Sequence, residues 1–196
     1  LGLTLRYQGK ATEAYAAFYK ATWNQAWAGA GYHAIAELDS VRGDFSLALI
    51  HLDHALRHAA DNLRAHALRV LVLRRLGRAA EADVALAAVR ALDLLDAWTH
   101  HLAEGDFPFD AQIRLDVAHD YVRAGFYAEA LTLLAAESSV ASPANLGSAP
   151  LLAYTAAWIA GLAGDTAARR RHLATARKAS PDHCFPARLE EIFVLE

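Results

Sequence analysis

The stretch Gly43–Ala55, GDFSLALIHLDHA, decides the fold, because the chain repeats its pattern at a fixed interval. Thirty-four residues earlier stands Gly9–Ala21, GKATEAYAAFYKA, and thirty-four later Gly77–Val89, GRAAEADVALAAV. Ala14, Ala48 and Ala82 keep the interval, as do Phe18, Leu52 and Leu86, and Ala21, Ala55 and Val89. Within each copy these positions fall at i, i+4 and i+7, one face of an α-helix. The leading glycine tolerates positive φ and suits a tight turn between two helices. A period of 34 residues is that of stacked helix-turn-helix hairpins.

Composition agrees with a helical chain. The 196 residues suffice for one domain or a short repeat array. Alanine and leucine are abundant, there are only five prolines, and 55% of the residues are hydrophobic. Summed propensity therefore favours helix nearly throughout, and disorder is disfavoured. No apolar run approaches the roughly 18–20 residues that span a bilayer, and no signal peptide opens the chain. A net charge of −3 gives no electrostatic basis for a nucleic-acid or membrane partner. The single cysteine, Cys184, suits a reducing cytosol, so the expected location is cytoplasmic. The sequence has no methionine and begins and ends inside repeats, which leads to the expectation of a piece of a longer protein.

The period divides the chain into units near 1–28, 29–62, 63–96, 111–140 and 150–181. In the second unit a first helix is expected over about Gln25 to Val41, with Tyr32, Ile35, Ala36 and Leu38 inward, and Asp44 caps the second helix. Asp61 or Asn62 caps the third unit, which places Val70 and Leu73 on its first helix. The next matching glycine, Gly125, comes 48 residues after Gly77, so about 14 residues are inserted. The insert is Ala97–Asp110, AWTHHLAEGDFPFD, read as a short helical turn and then a loop. The fourth unit resumes over Ala111 to Arg123, with Ala130 and Leu134 inward after Gly125. A linker rich in Ser, Pro, Asn and Gly spans about Glu137 to Pro150. The fifth unit has helices Leu151–Leu162 and Ala167–Ala179, and Arg169 stands where the small packing residue belongs. The terminal helix, 186–196, is read as the first helix of a sixth unit or as a cap.

These positions resemble the tetratricopeptide repeat family over nearly the whole chain. Leu1-Gly2 and Leu5 match its first-helix consensus, and Val117, Ala118 and Tyr121 occupy the same positions in the fourth unit. The resemblance implies an all-α, right-handed solenoid of about five helical hairpins plus a terminal helix, with the first helix of each pair (helix A) lining a concave groove. The family's carboxylate clamp of Lys and Asn is absent, since His33, Glu37, Ala67 and Leu71 stand at those positions. Chaperone-tail binding is therefore not carried over. The phrases LRRLGRAAEA, LDVAHDYVRAGFYAEAL and SPDHCFPARLEEIFVLE also resemble the repeat region of bacterial proteins that carry a mutarotase-like β-sandwich domain of unassigned function. That resemblance implies that any carbohydrate chemistry lies in such a neighbouring domain.

The same resemblance places Arg6, Tyr7, His33, Glu37, Ser40, Arg64, Leu71, Arg74, Arg75, Gln112, His119, Arg123, Tyr154 and Trp158 on the groove. Arginine forks hold carboxylates and aromatics supply flat anchors. The expected partner is an extended, acidic protein or peptide, and the expected role is non-catalytic binding or scaffolding. The alternatives are support or oligomerisation of a neighbouring carbohydrate-related domain, with the groove filled by the chain's own Ala97–Asp110 segment, or a His-based metal site or enzyme.

Chemistry is otherwise sparse. His51, His54 and His58 share one stripe that can ligate zinc, but the register sets them on the wet side of their helix, away from Ala48, Leu52 and Ala55. His100 and His101, with Glu104 and Asp106, diverge by about 100° on a helix. His119 with Asp116 and Asp120 reads as a local hydrogen-bonding group. His183 beside Cys184 is not a catalytic pair by sequence adjacency alone, and Cys184 reads as a buried small residue. Arg169–Arg171 with His172 is a solvated basic face. No phosphate loop, paired-cysteine motif or nucleophile elbow occurs, so no cofactor, no metal and no catalytic residue is expected.

Overall fold

The computed structural model describes residues 1–135, 145 and 147–195. All of its regular elements are helical, with no strand among the described residues. Packing groups the chain into two compact units: Leu1–Gly105 with Arg123–Gly125, and Asp106–Val122 with Phe126–Glu196.

The first unit holds α1 (Gly2–Tyr7), α2 (Ala11–Ala21), α3 (Gln25–Val41), α4 (Phe45–His58), α5 (Leu63–Arg75), α6 (Ala79–Leu92) and α7 (Ala97–Glu104). Each of these helices packs on the next, most extensively α3 on α4. Ala14, Ala48, Leu52, Ala55 and Val89 are fully enclosed, as the period requires, whereas Ala21 and Leu86 are only half-buried. Side-chain oxygens of Asn24, Asp44, Asn62 and Asp96 accept amides in the first turns of α3, α4, α5 and α7. Helix α7 stops at Gly105, whose φ is +78°, and a loop follows.

The second unit is built on α8 (Ala111–Arg123), α9 (Tyr127–Ala135), α10 (Ser148–Leu162), α11 (Thr166–Ala176) and α12 (Glu190–Leu195). Asp110 caps α8 through the amides of Gln112 and Ile113, at 2.9 and 3.0 Å. Leu133 is fully buried where Leu134 was expected, and Leu134 is half-buried. In the last pair the small packing residue is Ala168 and not position 169, a one-residue shift. Arg169 is exposed, and its stem runs over Gly161, where a built Cβ would stand 3.4 Å from Arg169 Cδ. Most of the expected linker Glu137–Pro150 lies outside the described residues, as do the end of the 111–140 unit and residue 196 of the terminal helix.

One turn recurs through both units. Gly9, Gly43, Gly77, Gly125 and Gly164 have φ of 73°, 80°, 71°, 80° and 78°. The amide that follows each glycine donates to a carbonyl five residues back: Lys10 to Leu5, Asp44 to Asp39, Arg78 to Leu73, Phe126 to Tyr121 and Asp165 to Ala160, all at 2.9–3.0 Å. This bond closes a helix through a left-handed residue, which a Cβ disfavours.

Candidate functional site

In the first unit, α1 and α3 bring predicted groove residues together. The Arg6 guanidinium on α1 donates to Glu37 Oε2 on α3, and its second nitrogen donates to the Arg123 carbonyl at 2.6 Å. His33 lies one turn before Glu37, with Nε2 at 3.9 Å from Glu37 Oε1. That nitrogen is buried and has no hydrogen-bond partner among the described residues. Burial pushes the His33 pKa down; Glu37 pulls it up, and the charges of Arg64, Arg6 and Arg123 push it further down. Burial works against the Glu37 charge, but Arg6 and His33 hold its carboxyl below the ordinary value. Glu37 is therefore neutralised within the chain, which corrects its expected place as an open groove contact.

Along α5 the pattern separates cleanly. Ala67 and Leu71 are buried, while Arg64, Arg74 and Arg75 are exposed. Leu71, an expected groove residue, is core because it falls on the stripe shared with Ala67 and Leu68. Ser40 is likewise buried, its hydroxyl donating to the Ala36 carbonyl at 2.9 Å. Arg74 reaches the Leu102 carbonyl of α7 at 3.0 Å. Tyr7 is half-buried on α1.

The histidine stripe on α4 is a second assembly, and it departs from expectation. His51 is buried, not wet: its Nδ1 lies 2.7 Å from Asp39 Oδ2, with the carboxylate almost wholly enclosed. Helix α3 packs close enough along α4 to cover that side as well as the alanine stripe. Tyr32 lies parallel to His54 at 4.8 Å between ring centroids, and to His51 and His58 at 6.0 Å. Tyr15 meets His51 edge-on at 6.5 Å, and the Arg42 guanidinium sits 4.7 Å over the Tyr15 ring. Burial pushes the Tyr15 phenol up to about 12, and the nearby Asp39 charge adds to the shift. The imidazoles thus stack on a tyrosine and do not converge. Among the described residues no group of three or more His, Cys, Asp or Glu is arranged to hold a metal ion.

In the second unit His119 is fully enclosed, its ring 5.9 Å from that of Trp158. Its expected groove position is corrected: α8 turns this face toward α10, not to solvent. Tyr154 and Trp158 are half-buried on α10. At Gln112 and Asp116, α8 is contacted by Arg188. Sequence reasoning missed Asp39, Tyr15 and Arg188. The first two lie twelve and thirty-six residues from His51, and only packing relates them.

Comparison with family models finds no match, and no curated protein matches the chain. No helix among the described residues is long and apolar enough to cross a membrane.

Proposed function

We propose that the chain is a tetratricopeptide-type array of helical hairpins and serves as a non-catalytic protein- or peptide-binding module. Its ligand is an extended acidic segment that lies on the helix-A faces. The observation that carries this reading is α5, which buries Ala67 and Leu71 and holds Arg64, Arg74 and Arg75 exposed along its length. The five left-handed glycine turns support the repeat class, since each ends the first helix of a pair by the same bond. Guanidinium forks on a rigid helix match carboxylates in both geometry and charge.

Fluorescence anisotropy with acidic peptides, against sequence-scrambled neutral ones, tests the reading. Acidic peptides bind in a salt-dependent way, and the Arg64→Ala/Arg75→Ala chain binds about tenfold more weakly. Equal binding of neutral peptides, or no effect of the double substitution, removes the proposal.

A second reading is that the array supports or oligomerises a neighbouring carbohydrate-related domain. One contact favours it: Arg74 is used by the chain's own insert at Leu102. Under that reading Arg74→Ala lowers the melting temperature and leaves peptide binding unchanged.

A further inference from the structure

The stretch 181–195 lies across the second unit and is fixed at three points. First, His183 and Cys184 cross the start of α10 at Gly147. A Cβ built on Gly147 would stand 2.0 Å from the His183 carbonyl oxygen and 2.9 Å from the Cys184 amide nitrogen, so only glycine admits the crossing. Gly147 and His183 are both left-handed there, with φ of 73° and 59°. Second, the Arg188 guanidinium is held by α8: Nε donates to Asp116 Oδ1 at 2.6 Å, one terminal nitrogen to Gln112 Oε1 at 3.1 Å, and the other to the Gln112 carbonyl at 2.7 Å. Third, the enclosed Glu191 braces the arginine. Its Oε1 accepts from Arg188 at 2.9 Å, and its Oε2 accepts the amides of Ala187 and Arg188. Helix α12 then rests on α10.

The chemistry of this attachment is polar. Val194 is the only apolar side chain of α12 that is buried, while Phe185, Leu189 and Ile192 remain 76%, 59% and 56% exposed. Asp116, the anionic contact on α8, has about half its side chain in water. Solvent competes with such a pair, and a segment that buries little apolar surface gains little from the hydrophobic effect. The receiving side is selective nonetheless. Three oxygens on one turn of α8 match three guanidinium N–H directions, and the point charge of a lysine does not reproduce that fork. Gln112 is also one of the positions that the repeat register assigns to the groove.

We infer that residues 181–195 are an internal ligand of the helix-A face of α8, and that this face receives in trans a partner segment of the same chemistry. That chemistry is an arginine followed three residues later by a glutamate and then by apolar residues. The inference rests on the reading that helix-A faces are the binding faces, but it assigns this one to a cationic contact and α5 to an anionic one. The chain's own segment holds the site until the partner displaces it.

The probe is a fluorescein-labelled peptide of residues 181–195 with serine in place of Cys184, added to the full chain. The Arg188→Ala chain, checked for helix content by circular dichroism, binds it about tenfold more tightly than the parent, because its own segment has lost its hold. The peptide carrying Arg188→Ala binds neither chain. In the parent, hydrogen exchange gives a measurement that needs no variant: excess peptide accelerates exchange at the amides of residues 187–191 and leaves α10 unchanged. Equal affinities for the two chains, or amides of 187–191 as protected as α10 and indifferent to peptide, overturn the inference and make the segment a fixed part of the fold. Because the acidic-peptide assay reads α5, failure there and failure here are separate results.

Discussion

Asp39 shows how one side chain organises its neighbours. It is a carboxylate with 1% of its side chain exposed; the imidazole of His51 holds it, and its charge acts on the phenol of Tyr15. Removing one partner of such a pair leaves a buried charge unsatisfied, so His51→Ala lowers stability by roughly 3 kcal/mol in urea denaturation. A loss under about 1 kcal/mol would show that water reaches the carboxylate. Tyr15 gives an independent readout. Its phenol ionises near 12 in the folded chain against 10.0 for an ordinary tyrosine, so the stability it contributes is full below pH 10 and is lost as pH rises toward 12. Ultraviolet titration shows a late phenolate that Asp39→Asn shifts toward the ordinary range.

Acid acts on a different set of groups. Burial keeps His33 below its ordinary value of 6.5, and His54 is lowered in the same direction by burial and by Arg57, His51 and His58. The unfolded chain therefore takes up protons that the folded chain refuses, and stability falls as pH drops through 6.5. Glu37 extends the fall. Its stabilisation is present above the ordinary carboxyl range and is lost as pH drops through its lowered pKa. Urea midpoints at pH 7.5, 5.5 and 4 decrease in that order, and His33→Gln flattens the first step. A midpoint that rises on going to pH 5.5 contradicts the assignment.

At the scale of the element, the turns and the close helix contacts use glycine for different reasons. Gly43 has φ of 80° with open space where a Cβ would point, so Gly43→Ala strains only the backbone. The expected loss is roughly 1 kcal/mol, after allowing for the stiffer unfolded chain. Asparagine, which tolerates the left-handed region, is milder there. Gly29 is inside α3, and a Cβ would stand 2.9 Å from Ala59 Cβ beyond the end of α4. Gly29→Ala therefore pushes α3 and α4 apart, at a loss of about 1–3 kcal/mol. Thermal melts of the three variants rank Gly43→Asn above Gly43→Ala, with Gly29→Ala no more stable than Gly43→Ala.

For the whole molecule, two compact units mean two sets of enclosed side chains. One includes Ile35, Leu52, Leu68 and Leu73, and the other Leu115, Tyr121, Leu133 and Ile159. Local opening follows such sets. His51→Ala accordingly raises hydrogen exchange through α2–α6 and leaves α10 and α11 at the parent's rates. Equal loss of protection in both sets shows one cooperative unit instead.

The hairpin pattern was legible because it is local. Gly43, Ala48, Leu52 and Ala55 mark one turn and one helix face, and both follow from backbone geometry and a 3.6-residue period. The caps at Asp44 and Asn62 were legible for the same reason, since a short polar side chain reaches amides only two or three residues ahead. What faces water was less legible. Period alone identifies the most buried stripe of a helix, but it does not say how far a neighbouring helix wraps around it. For that reason His51 and His119 turned from surface to interior, and Glu37 from an open contact to the partner of Arg6. Arg169 is exposed because Gly161 leaves room for its stem, a relation between two helices. The sequence by itself determined an all-α chain with left-handed glycines ending its helices. Only the tertiary structure decided that Arg188 lies on Gln112 and Asp116, because that contact joins residues more than seventy positions apart and depends on a glycine, Gly147, that lets the chain cross.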